Sequence, residues 1–513
     1  MRELSVLTVI AFGACVAPAP FDARPPSEGA RLEASYPAVR RAGDGTLVIG
    51  AADGRGGTSE IPVFAAPGRF NPEAATLSSF ATDPVEDRAF VVQAFPTATA
   101  FELDAMRPNR YRVPLNLRTL YALDPDGTAR EVTRLDDESL PSFVFTDDAV
   151  IVMTCGARGG HLRRFDRRAM TLQREAWVLA CPGSEAPYVM SRWIVLRHPY
   201  GLMYYIDPTT LEAGTLPLEI SAQYFEIPLR TQDAIVRVVA ESRAVAHTRI
   251  PYRVERYELA GATPAQLSDR SPRRVGRIEL TSPQWGDHFG LYGNYPQMPT
   301  PDERALILPD TQGVQLLELA TGAVRPLPVA PTGINLAAFT PDGRGFIGYS
   351  PALYPSNGAR LWHVTFDDPA PRALAITLPT APRVVFPSAS PHALLTAGNT
   401  DVVLWRMDLA QGDARRVSSF GPTPPVFTTG AARGGEAWLL RDGLVRINAA
   451  SLDELRAPIE WVPTRIAVPR VGDVVLVDVP RRNTVARLRG DTGQVEREYR
   501  LPVPAPPLSA AGR

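Results

Sequence analysis

Apolar residues in this chain come in short runs of about four to eight, often β-branched, bounded by Gly, Pro, Asp or Asn. They do not follow the 3.6-residue spacing of amphipathic helices. The stretch from Arg465 to Leu501 shows the unit most clearly. Gly472-Asp473 introduces Val474, Val475, Leu476 and Val477, a run that suits a strand buried on both faces. Pro480-Arg481-Arg482-Asn483 reads as a loop and Thr484 to Leu488 as the next strand. Asp491-Thr492-Gly493 closes a hairpin, where Gly accepts a positive φ. Gln494 to Leu501 alternates polar and apolar, as a half-solvated outer strand does.

The same unit recurs upstream. Acidic or Gly-containing turns precede apolar strands at Asp87, Asp148, Asp233, Asp302, Asp342, Glu436 and Asp473, and Ser191-Arg192 and Pro391-His392 occupy the same slot. A second column of hairpin turns falls at Asp124, Asp166, Asp207, Leu259, Leu319, Asp367, Asp408, Asn448 and Gly490. Four strands per interval of roughly forty residues is the signature of a β-propeller. The expected fold is all-β, a single propeller of four-stranded antiparallel blades. Nine hairpins exceed the usual range of about four to eight blades. Eight blades are therefore expected, with one hairpin near Leu103 to Leu123 an insertion; seven and nine stay open. The propeller is expected over 36–501, with the strands around residues 41–64 supplying either a closing strand or a lead-in hairpin.

Three stretches carry family resemblances. The C-terminal unit resembles the YVTN-type propeller repeat, FTPDGRGFIGYS from Phe339 to Ser350 looks like the TolB-type motif, and LYALDPDGTAREV from Leu120 to Val132 is similar to the repeat of pyrroloquinoline-quinone proteins. The N-terminus resembles a bacterial lipoprotein signal: an apolar run from Leu4 to Phe12, then Gly13-Ala14 before Cys15. Phe12 replaces the usual Leu, and Glu3 dilutes the leading charge. The resemblance implies a leader over 1–15, acylation of Cys15 and, from Val16 in place of Asp, the outer membrane. An ordinary cleavage site at Ala17-Pro18-Ala19, giving a periplasmic or secreted protein, is the other possibility. Residues 16–35, rich in Pro and Ala, read as a tether, and 502–513 as a frayed tail.

Composition narrows the partners. The net charge of −1 argues against nucleic acid. All 54 basic residues are arginine, so pairs such as Arg163-Arg164, Arg167-Arg168 and Arg273-Arg274 are expected as solvated faces of an arginine-biased composition. No later run is long enough to span a bilayer, which leaves the lipid as the expected membrane contact. Cys155 and Cys181 leave the same end of one sheet if 150–154, 162–166 and 172–179 are successive antiparallel strands. They are then either a disulfide, which an exported protein permits, or two small buried thiols.

Catalytic signatures are missing. There is no G-x-S-x-G elbow, and His161, His198, His247, His288, His363 and His392 lack metal-ligand spacing. The pyrroloquinoline-quinone resemblance implies a Trp after the turn and adjacent cysteines at the cofactor, and neither is present. No cofactor is expected. Two insertions stand out, SPQWGDHFGLYGNYP (Ser282 to Pro296) and YSPALYPSNGARL (Tyr349 to Leu361). In a propeller both leave the same face. Trp285, Asp287, His288, Tyr292, Tyr354 and Asn357 are the candidate residues for binding a protein or glycan; the alternative is loops packing their own aromatics on blade edges. The function expected is a non-catalytic, lipid-anchored binding or scaffold module of the cell envelope. The alternative is a propeller enzyme with a central-channel site, lactonase-like or quinone-dependent.

Overall fold

Every turn in the first predicted column joins the first and second strands of an antiparallel sheet, and every turn in the second column joins the third and fourth. The computed structural model describes residues 76–97 and 115–502, apart from connections at 136–137, 157–158, 182–187, 191, 198–202, 218–223, 243–248, 282–297, 311–312, 328–334, 351–358, 367–371, 379–382, 386–391, 398–402, 411–412, 420–426, 429–435, 441–442, 470–472 and 481. It also describes the strands Val39–Arg41, Leu47–Ala52, Thr58–Pro62, Phe64–Ala65 and Phe101–Glu102.

Among the described residues there are nine four-stranded sheets, each a simple meander. The first is Thr76–Thr82, Ala89–Thr97, Leu115–Leu123 and Ala129–Arg134. The second is Ser142–Phe145, Ala149–Gly156, Gly159–Asp166 and Leu172–Val178. The others follow in chain order, and the ninth ends with Val474–Val479, Thr484–Arg489 and Val495–Arg500. Nine sheets stand where eight units were expected. The stretch 98–114 merely lengthens one hairpin, since Ala89–Thr97 and Leu115–Leu123 pair continuously on either side of it. Nor does the N-terminal stretch lend a strand to any of the nine sheets. Residues 39–62 form their own three-stranded sheet, and the first four-stranded sheet begins at Thr76.

Second strands are buried along their length, as in Ala149–Gly156 and Val474–Val479, because each sheet is covered on both faces. Fourth strands such as Val495–Arg500 are mostly exposed. Cores lie between consecutive sheets. Phe90, Val92 and Leu120 pack with Val150, Val152 and Phe165, and Trp438 and Leu444 pack with Val475, Val477 and Leu488. The ninth sheet returns to the first through Leu476, Val485 and Tyr499 against Leu77, Val91 and Tyr121.

Both turn columns have a local cause. Thr146, Thr300 and Thr340 each donate a hydroxyl hydrogen bond to the aspartate two residues on, at 2.9, 2.6 and 2.6 Å. The Thr hydroxyl bond is the leading influence holding Asp148 and Asp342 below the usual carboxylate range. In the other column Asp166, Asp207 and Asn448 accept from the backbone N–H groups two and three residues on, closing the turn. The turn then needs a left-handed residue. Gly322 and Gly493 supply it in two sheets, but Met170 (φ 53°) and Leu211 (φ 58°) do so in the second and third. Their side chains are buried between sheets, which offsets the backbone strain.

Arginine couples one sheet to the next. Arg130, Arg164, Arg406 and Arg446 donate to Ala169 O, Pro208 O, Ala450 O and Gly490 O, in the third-to-fourth turn of the following sheet, at 2.9, 3.1, 2.9 and 3.0 Å. Several of these guanidinium groups also hold a carboxylate of their own sheet: Arg164 holds Asp148 at 2.6 Å and Arg446 holds Glu436 at 3.1 Å. A lysine ammonium lacks the rigid fork that serves both. At the seam, Arg497 of the ninth sheet donates to Pro125 O of the first, repeating the pattern. Arg487 grips Asp87 through two bonds of 2.8 and 2.7 Å. Buried Gln93 donates to Asn483 Oδ1 and Pro502 O at 2.7 and 2.9 Å.

Arg487→Ala is expected to lower unfolding stability by about 2–3 kcal/mol in urea titrations, since it leaves Asp87 without its charge-assisted pair. Arg134→Ala, whose partner Glu131 is half exposed, should cost less than about 1 kcal/mol. Leu211→Ala should cost about 2–4 kcal/mol, because it keeps the strained φ and loses the buried side chain.

Candidate functional site

A meander turns alternately at two edges. First-to-second and third-to-fourth turns share one, the turn edge. Second-to-third turns and the connections between sheets share the other, the loop edge. The six candidate binding residues, Trp285, Asp287, His288, Tyr292, Tyr354 and Asn357, lie outside the described residues, as does Cys15. The strands flanking the two insertions are described. Residues 282–297 follow the fourth strand Arg273–Thr281, and 351–358 separate Gly345–Ser350 from Ala359–Thr365, so both leave from the loop edge.

The loop edge of the second sheet carries the most developed cluster of chemical groups near that surface. Cys155 pairs with Gly160 and His161 with Trp177 across the ladder. Gly159 (φ 107°) and Gly160 make the hairpin because the fourth strand's backbone lies against them: added Cβ atoms would sit 2.4 Å from Val178 O and 2.2 Å from Ala180 O. Cys155 and Cys181 are joined as a disulfide with Cα atoms 5.0 Å apart. Ser139 ties the segment before the first strand to this corner, because its hydroxyl accepts from Cys155 N at 2.8 Å.

Beneath the disulfide, Glu138 gathers the cluster. Arg163 donates twice to its carboxylate at 2.8 and 2.6 Å, Thr154 donates at 2.5 Å, and His161 Nδ1 lies 3.0 Å away. Burial pushes the Glu138 carboxyl up, but the bonds from His161, Arg163 and Thr154 outweigh it and hold it at about 2. The His161 ring stacks on Trp177 at 3.9 Å between centroids, and its Nε2 faces Glu175 at 3.4 Å. His161 is almost fully buried, which suits a brace under the corner better than a group that meets substrate. Leu140 and Leu179 are exposed on the same corner, beside the partly covered Trp177. Chemically this corner offers a contact surface on a rigid base.

Sequence reasoning missed this base. Arg163, Arg164 and Arg167 were expected on solvated faces; all three are buried. Arg167 forks onto buried Asp83 of the first sheet, with Nε 2.9 Å from Oδ2, and donates to Thr146 O at 2.7 Å. Arg168, Arg273 and Arg274 are exposed, as expected. No local signal separates the two groups, since the partners lie tens of residues away in the chain. A second buried cluster joins the third and fourth sheets. Arg237, fully buried, bonds Glu226 at 3.0 Å, Tyr257 at 3.0 Å and Pro217 O at 2.7 Å, while Tyr205 donates to Glu226 at 2.6 Å. Burial, with the Glu226 charge beside it, raises the Tyr205 hydroxyl well above its ordinary value. These groups satisfy one another and act as an inter-sheet clamp. Among the described residues no group of three or more His, Cys, Asp or Glu is placed to hold a metal ion.

No protein-family model matches the chain, and comparison with curated sequences returns no relative. Solved structures similar to it include dihydro-heme d1 dehydrogenase NirN in complex with DHE, at 17% identity over 69% of this chain and 75% of that one, with a TM-score of 0.41. Oligogalacturonate lyase from Vibrio parahaemolyticus is similar at 8% identity over 74% and 97%, with a TM-score of 0.38. The putative TolB from Agrobacterium tumefaciens is similar at 13% identity over 46% and 81%, with a TM-score of 0.27. These are β-propeller proteins. At such scores the likenesses carry no argument about this chain, whose architecture rests on its own sheet order and packing.

Glu138→Gln is expected to cost about 2–4 kcal/mol at pH 7, because it leaves the buried Arg163 guanidinium without its counter-charge. Glu138 has a depressed pKa, so its stabilising contribution is complete above about 4.5 and is lost as pH falls towards about 2. Urea midpoints of the wild type and the variant, compared from pH 7 down to pH 2.5, should therefore converge. A gap that stays constant across that range would show that ionised Glu138 is not its source.

Proposed function

We propose that the nine sheets are the blades of a single β-propeller, exported and held at the outer membrane by a lipid on Cys15, which acts as a non-catalytic binding or scaffold module of the cell envelope. Its partner is a protein or a glycan, met through the loop edge. The ring is supported by the buried cores that join eight of the nine pairs of neighbouring sheets among the described residues, and by the arginine bond that recurs where the ninth sheet meets the first.

The observation that carries the functional reading is the Cys155–Cys181 disulfide. Such bonds persist in oxidising compartments outside the cytoplasm. This one braces the loop edge of the second sheet; the aromatic stretches containing Trp285, Asp287, His288, Tyr292, Tyr354 and Asn357 depart from the loop edges of the fourth and sixth. Aromatic and amide side chains on loops set in a stiff scaffold suit protein or glycan recognition. The reading requires no cofactor. The near-neutral net charge of −1 disfavours a nucleic-acid partner.

Cys15→Ser should move the protein from the membrane fraction to the soluble fraction after cell lysis; unchanged partition would remove the anchor. Cross-linking in intact envelopes should yield a defined adduct that Trp285→Ala with Tyr292→Ala abolishes, while Arg168→Ala at the turn edge leaves it intact. An adduct indifferent to the double substitution would displace the binding site from those loops.

A further inference from the structure

We infer that the ring is held with its loop edge towards the bilayer that carries its anchor and its turn edge away from it. The inference rests on the lipid anchor proposed above and adds an orientation to it. Two features of the backbone place the N-terminal arm at the loop edge. The chain enters the first sheet at Thr76, opposite Ala94 near the end of the second strand, so it arrives from the side where second-to-third connections lie. Independently, Phe64–Ala65 pairs with Phe101–Glu102, a strand within that same connection of the first sheet. The small sheet of residues 39–62 immediately precedes this attachment.

Between Cys15 and that sheet only residues 16–38 remain. Rich in Pro and Ala, they can reach at most about 70 Å. A lipid on Cys15 is therefore joined to the ring from its loop edge, and turning the opposite edge inwards would require the arm to run around the ring.

Charge does not decide the orientation: at the turn edge exposed Asp126, Asp302 and Asp342 are interspersed with exposed Arg168, Arg304 and Arg344, and Asp83, Asp87 and Asp148 are taken up by Arg167, Arg487 and Arg164. Exposed apolar side chains do not decide the matter, because both edges have them: Leu140, Leu179 and Val462 at the loop edge, Val85, Leu172, Val189, Val324 and Val495 at the turn edge. A partner bound at the loop edge would accordingly be met at the membrane surface.

The test uses the full-length lipidated protein on vesicles of phosphatidylethanolamine and phosphatidylglycerol containing an acceptor-labelled lipid. A donor dye is placed on Val462→Cys at the loop edge or on Ala450→Cys at the turn edge, both exposed positions. Energy transfer to the bilayer is expected to be at least twofold more efficient from residue 462. Equal or reversed efficiencies in protein that floats with the vesicles would overturn the orientation and leave the anchor standing. Failure to float would overturn the anchor and the orientation with it.

Discussion

Most of these sheets pack an apolar core on each face, and that constraint organises the molecule. A sheet of this kind has no solvated side, so it is stable only between two others, and a linear stack would leave two raw faces at its ends. The chain removes both by packing the ninth sheet on the first. The packing there, Tyr499, Val485 and Leu476 against Tyr121, Val91 and Leu77, matches in kind that of the other interfaces. No strand is exchanged across it, since the first and ninth sheets each draw all four strands from contiguous sequence. Closure therefore depends on side chains: the Asp87–Arg487 fork, the Gln93–Asn483 bond and the Arg497 bond to Pro125 O.

Arginine is central to this scheme. Its composition-wide dominance looks like a bias without structural meaning, and for exposed Arg168, Arg273 and Arg274 nothing in the packing contradicts that. Elsewhere the planar fork couples one sheet's strand to the next sheet's turn carbonyl while binding a carboxylate nearby. The Arg164 and Arg446 bonds are partly buried, where a charge-assisted hydrogen bond is worth more than on an open surface; those of Arg130, Arg406 and Arg497 are exposed. The same residue type thus performs two roles, and only the environment distinguishes them.

The loop edge inherits its stiffness from these interactions. At the second sheet, Glu138 collects Arg163, Thr154 and His161 beneath a disulfide, leaving Leu140, Leu179 and Trp177 on top. A rigid base under exposed loops lowers the ordering cost of recognition. The chain's arm joins the body at this same edge.

The sequence by itself determined where strands begin and end, because those positions depend on local chemistry. Threonine and aspartate close one set of turns, aspartate, asparagine and glycine the other, and β-branched runs fill the strands between. Repetition of these local rules made a radial, all-β architecture legible. Tertiary structure decided that the strands sort into nine four-stranded sheets among the described residues, since an insertion and an extra hairpin look alike until pairing shows Ala89–Thr97 continuous with Leu115–Leu123. It also decided the burial of Arg163, Arg164 and Arg167, the Glu138 cluster and the seam, whose partners lie from about twenty to four hundred residues apart. Turn chemistry acts over three or four residues and leaves a mark in the sequence; inter-sheet bonds depend on which surfaces the closed ring brings together, and no local pattern records that.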